Sequence, residues 1–105
     1  MSKIKENFLE KVERFCYGYS SLDIWNLDTT IAKFILPRLI AFRKHPKGYP
    51  HRAKGLQQWN KIIDEMIFAF DYYANQSGEI VDEKTSIRID RGMDLFAEYF
   101  YDLWI

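Results

Sequence analysis

Apolar residues recur at helical spacing in four stretches of the chain. Over residues 4–16, Ile4, Phe8, Leu9, Val12, Phe15 and Cys16 share one face, with Lys and Glu on the other, which predicts a first helix. Gly18 and a serine pair break the pattern, and a short turn through Leu22, Ile24 and Trp25 should follow. Asp28, ahead of Thr29, Thr30 and a dense apolar run, is the candidate N-cap of a second helix over about 28–44. That run is apolar around most of its circumference, so this helix is expected to be central. Pro37 lies within it. Its ring crowds the carbonyl of Lys33 and its nitrogen has no hydrogen to donate, which predicts a kink rather than two helices. Pro46 disfavours helical geometry in His45 and should end the helix there.

From Gly55 onward, Trp59, Ile62, Ile63, Met66, Ile67, Phe70, Tyr73 and Ala74 step by three and four, predicting a third helix that ends near Asn75–Gly78. The segment EIVDEKTSI, residues 79–87, reads either as a short extended piece or as the approach to a helix. Ile89, Gly92, Met93, Phe96, Tyr99, Phe100, Leu103 and Trp104 predict a final helix running to the end of the sequence and pinned there by Trp104. The expected architecture is an all-α bundle of four principal helices, a single domain over 1–105. Its expected core is Phe34, Ile35, Leu39, Ile63, Met66, Ile67, Phe70, Phe96, Phe100 and Leu103.

Composition adds two expectations. The chain is 105 residues long with 17% aromatic residues, more large apolar side chain than so small a core easily hides, so a homo-oligomer is expected. The 15 basic and 15 acidic residues cancel, which removes the global field that draws proteins onto long nucleic acids or anionic membranes. The single cysteine, Cys16, has no partner for an intramolecular disulfide or a zinc site and reads as a small buried hydrophobe. Neither a signal-peptide pattern nor a membrane-spanning run is found, so a soluble protein of a reducing compartment is expected.

The sequence offers little for catalysis. The only histidines, His45 and His51, sit in a loop among cations, where histidines are more often solvent-exposed than catalytic. No Glu-x-x-His pair supports a carboxylate metal site, and Asp64 with Glu65 or Asp94 with Glu98 read as solvated helix faces. No phosphate-binding glycine loop occurs either. A non-enzyme without a cofactor is expected.

The stretch RKHPKGYPHRAK, residues 43–54, is the exception to this even charge pattern. It holds Arg43, Lys44, Lys47, Arg52 and Lys54 without a carboxylate, leaving ten bases against 15 acids elsewhere. Arg43 and Lys44 suit the negative end of a helix dipole, whereas Arg52 and Lys54 precede a helix start, where cations are unfavourable. They invite an anion. Arg52, Lys54 and Lys47, with free backbone N–H groups, would hold phosphate oxygens while Tyr49 or Trp59 stacks on a base. The alternative is a solvated connection.

The segments SSLDIWNLDTTIAKFILPRL, the Tyr49–Pro50 pair, QQWNKIIDEMIFAF and RGMDLFAEYFYDLW, spread over most of residues 18–104, resemble a family of small uncharacterised bacteriophage and prophage proteins. The likeness is carried by Trp25 and Asp28 of a W-x-x-D segment, by the proline-interrupted helix at Pro37, and by the aromatic ending Phe96, Phe100 and Trp104. The resemblance implies a phage-encoded accessory protein acting in the host bacterial cytoplasm against a host defence. Two modes follow. One is a sponge for a small phosphate-bearing signal such as a cyclic nucleotide; the other is an inhibitor module that binds a host protein.

Overall fold

Among the described residues, three α-helices, α1 (Leu27–Lys44), α2 (Leu56–Asn75) and α3 (Glu83–Glu98), precede one turn of 3-10 helix at Phe100–Asp102. They belong to a computed structural model that describes residues 18, 24–45, 48–76 and 78–104. The expected helix over 4–16, Cys16, Pro46 and Lys47 lie outside the described residues. Among the described helices the central one is α2, not α1: both α1 and α3 pack against it. The reason is visible in side-chain size and pattern. In α2 a continuous row, Trp59, Ile62, Ile63, Met66, Ala69, Phe70 and Ala74, is buried, whereas α1 buries only Ala32 and Leu39.

The start of α1 corrects one expectation. Asn26, at φ 53°, takes the N-cap position in the left-handed region that asparagine tolerates better than most residues, and it makes no side-chain cap bond. Asp28 instead sits in the first turn, where its charge complements the positive end of the helix dipole. Pro37 lies inside α1, which continues through it to Lys44. At the far end His45 adopts the extended geometry that a following proline favours, and its N–H donates to the carbonyls of Ala41 and Phe42.

The start of α2 depends on Gly55, whose φ of 122° is open to glycine and strained for other residues. No side chain of the N-cap residue caps this helix; the Gln58 side chain reaches back and accepts from the Lys54 N–H.

The ambiguity over 79–87 resolves in favour of a helix start. Asp82 caps α3, its carboxylate accepting from the Thr85 N–H at 3.1 Å. Hydrogen bonding from the Thr85 side chain, and then from its N–H, holds the Asp82 pKa below its usual value. A depressed carboxylate pKa contributes stability above the unfolded-state pKa, and that contribution is lost as pH falls through the folded value. The protection of the Thr85 amide against exchange, relative to its intrinsic rate at each pH, should therefore fall on acidification through the carboxylate range. In Asp82→Asn, which keeps a capping oxygen, the acid-dependent part should vanish.

The last helix does not run to the end of the chain. It stops at Glu98, and Asp102 and Leu103 donate their N–H groups three residues back, to Tyr99 and Phe100. Continuation as an α-helix would bring the Asp102 N–H to the Glu98 carbonyl, but Arg52 Nη2 donates to that oxygen at 2.7 Å. Trp104 is consequently not a pin: it is 84% exposed. Phe34 and Phe100, expected in the core, are 60% and 56% exposed. Leu39, Ile63, Met66 and Phe70 are buried as expected, with Ile35, Ile67, Phe96 and Leu103 packed at the edge of the core.

Candidate functional site

The basic loop is where the sequence concentrates positive charge, and the structure divides its members among different tasks. Arg43 lies at the end of α1 and donates through Nε to Asp64 of α2 at 2.8 Å, with Nη2 3.5 Å from the second carboxylate oxygen. It ties the two helices together. Arg52 reaches the end of α3 and the turn after it. Besides the Glu98 carbonyl, its Nη2 contacts Asp102 Oδ2 at 2.9 Å, and its guanidinium carbon lies 4.5 Å from the centre of the Tyr99 ring. The Asp102 hydrogen bond raises the Arg52 pKa above its usual value, so the group is a permanent cation with its fork already directed at protein acceptors. The loop therefore clamps the C-terminal turn.

The stacking partners also separate. Trp59 has no exposed surface and packs 5.5 Å, ring centre to ring centre, from Tyr99, so it cannot meet a base. Its burial follows from its place on the inward face of α2. Tyr49 is exposed. Lys54 lies at the start of α2 beside a shallow polar hollow of about 390 Å³ lined by Gln57, Gln58 and Lys61 as well. The first turn of α2 carries no acid. Of the four described residues expected to bind a phosphate-bearing ligand, Arg52, Lys54, Tyr49 and Trp59, it is Lys54 that borders this hollow at the helix start; the fifth, Lys47, lies outside the described residues. Lys61, which the loop-centred reading missed, joins it because one helical turn brings residues 57, 58 and 61 to one side of the helix origin.

The first acidic pair is engaged by arginines. Asp64 bonds Arg43, and Glu65 accepts from Arg88 at 2.8 and 3.2 Å. Among the described residues, no cluster of three or more His, Cys, Asp or Glu side chains is arranged to hold a metal ion. Nor is any described helix long and apolar enough to cross a membrane.

The larger surface feature is aromatic. Phe96, Phe100 and Tyr101 form a chain of edge-to-face contacts with ring centres 5.8 and 5.9 Å apart, and Phe96 continues it into the core through Phe70 at 4.8 Å. At the outer end Tyr101 is 85% exposed, and Trp104 follows it at the surface. The turn that presents them is held by Arg52. Beside it an apolar groove runs between α1 and α3. One part of about 330 Å³ is lined by residues including Ile35, Phe42, Phe96 and Leu103, and another of about 220 Å³ by residues including Ile31, Phe70 and Met93.

Comparison with known proteins returns no match: no family model, no curated protein and no solved structure is similar to this chain.

Proposed function

We propose that this protein is a non-catalytic binding module that docks a protein partner through its C-terminal aromatic turn. The observation that carries this reading is the placement of Tyr101 and Trp104, large apolar side chains facing solvent from a turn that Arg52 fixes to the rest of the bundle. Aromatic side chains bring large contact area at low entropic cost and dominate protein interfaces, all the more when the backbone beneath them is already ordered. The polar tips of tyrosine and tryptophan also allow such residues to stand in water before a partner arrives. Following the resemblance to phage proteins, the partner is a host bacterial protein in the cytoplasm, and the module acts by blocking it. In this reading α1 bends at Pro37.

A second reading, sequestration of a phosphate-bearing signal, is supported by the start of α2, where Lys54 and Lys61 flank a helix origin without an acid. It is the weaker of the two, because Arg52, the best phosphate donor in the loop, is engaged by Glu98 and Asp102.

One set of variants separates them. Tyr101→Ser with Trp104→Ser should abolish stoichiometric retention of a bacterial protein on the immobilised chain while leaving the circular dichroism unchanged. Lys54→Ala with Lys61→Ala should retain it. If calorimetry instead finds a cyclic di- or trinucleotide that binds the wild type and not the lysine variant, the phosphate reading replaces the first.

A further inference from the structure

A hollow of about 320 Å³ lies along the seam where α2 and α3 meet, on residues that line neither part of the groove beside α1. Each helix gives it one face, since residues 58, 61 and 65 on α2 and 91, 95 and 98 on α3 step by three and four. Its walls are fixed. The two helices touch at Gly92, where a Cβ would come within 2.7 Å of the Ala69 Cβ, so the hollow is formed before any ligand arrives.

The charges around this hollow do not cancel. Glu65 accepts from Arg88 at 2.8 and 3.2 Å, and Glu98 lies 4.0 Å from Arg52 Nη1. Neither arginine lines the hollow, so each acid is balanced from outside it. Lys61 from α2 and Arg91 from α3 are exposed, and among the described residues neither has an ion pair or a side-chain hydrogen bond. Lys54 adds a third cation, because the hollow it borders shares Gln58 and Lys61 with this one. One unpaired surface cation is ordinary. Two from different helices at the rim of one concavity form a site for negative charge.

The floor between them is apolar, made by Ile62, Leu95 and Tyr99, each less than a tenth exposed. A bare anion would leave that floor in water, and a wholly apolar ligand would leave the cations without partners. A phosphate monoester carries a charge of about −1.5 to −2, which suits two or three cations better than the single charge of a carboxylate does. The arginine fork matches its oxygens. At the lower end of the roughly 300–1,000 Å³ of small-ligand sites, the hollow suits one ring system rather than two.

We infer that the hollow between α2 and α3 binds a ligand of the nucleoside-monophosphate class, with Lys61 and Arg91 on the phosphate, Lys54 at its outer side, and the ring on Ile62, Leu95 and Tyr99. The inference rests on the second reading above, and adds to it Arg91 and a seat for the part of the ligand beyond the phosphate.

Nuclear magnetic resonance titration of the full chain with adenosine 5′-monophosphate tests this, with inorganic phosphate and adenosine as the separate halves. The nucleotide should shift the amides of residues 58–65 and 91–99 saturably at millimolar concentration, and should bind about tenfold more tightly than either half. Arg91→Ala and Lys61→Ala, at exposed positions where folding is not at stake, should each weaken it about tenfold. Lys84→Ala, on α3 but outside the hollow, should not. No saturable shift with the nucleotide overturns the inference, as does inorganic phosphate that binds as tightly. A glutamate-rich peptide that moves these amides where the nucleotide does not also overturns it, and assigns the cations to a protein partner. If Lys54→Ala abolishes nucleotide binding while Arg91→Ala leaves it unchanged, the second reading stands and this seat is wrong. The Tyr101→Ser, Trp104→Ser variant should bind the nucleotide as the wild type does, so the hollow and the aromatic turn report separately.

Discussion

Gly92→Ala should destabilise the protein, although alanine is the better helix former by about 1 kcal/mol. Gly92 lies in the middle of α3, where its Cα side faces α2. A Cβ built there would overlap the backbone carbonyl oxygen of Glu65 and come within 2.7 Å of the Ala69 Cβ. Neither neighbour can rotate away, since one is backbone and the other is a methyl fixed on a helix, so α3 must shift as a unit. Overpacking of this kind costs about 1–3 kcal/mol, and the shift would also disturb Ile89 and Leu95, buried on the same side of α3. Chemical denaturation should show the loss, with Gly92→Val more severe. The matched control is Ala97→Gly, at an exposed position of α3, which should follow simple propensity and cost up to about 1 kcal/mol. A Gly92→Ala variant more stable than wild type would mean that α2 and α3 do not approach this closely.

Trp59→Ala should lower stability by about 3–5 kcal/mol, a large share of the 5–15 kcal/mol typical of small domains. Trp59 is among the largest of the fully buried side chains, and it stands between α2 and the start of the C-terminal turn through its contact with Tyr99. Removing it opens a cavity beside Tyr99, the ring that Arg52 also contacts. The effect should therefore extend to the aromatic turn and reduce partner binding along with stability. Trp59→Phe offers an instructive contrast. The indole Nε1 is buried without a hydrogen-bond partner, so phenylalanine relieves an unsatisfied donor while keeping most of the ring. Its cost should stay under about 1.5 kcal/mol by denaturant titration. A Trp59→Phe loss as large as that of Trp59→Ala would show that the indole nitrogen makes a bond in solution.

The helices from α1 onward were legible because each repeats its apolar residues every three to four positions and is bounded by residues with local conformational rules. Pro46 restricts His45 by a steric clash within the dipeptide, and Gly55 admits a backbone geometry strained for other residues. The two errors of extent have local causes too. Asp28 looked like a cap because it precedes an apolar run, but Asn26, tolerant of the left-handed region, lets the helix begin one residue ahead of it. The final helix looked continuous because a 3-10 turn and an α-helix both place apolar residues about three apart.

What periodicity could not decide was which of the apolar side chains would be covered. It marks Phe34, Phe100 and Trp59 alike as helical hydrophobes, yet of the three only Trp59 is buried. Nor could sequence tell that Arg52 would turn away from a ligand and toward a carbonyl 46 positions later. Helix existence is set by backbone hydrogen bonds and side-chain spacing within some ten residues, which a sequence displays directly. Burial, the pairing of a loop arginine with a helix end, and the open groove between α1 and α3 depend on how separate helices meet, and that geometry exists only once α2 has brought the other two together.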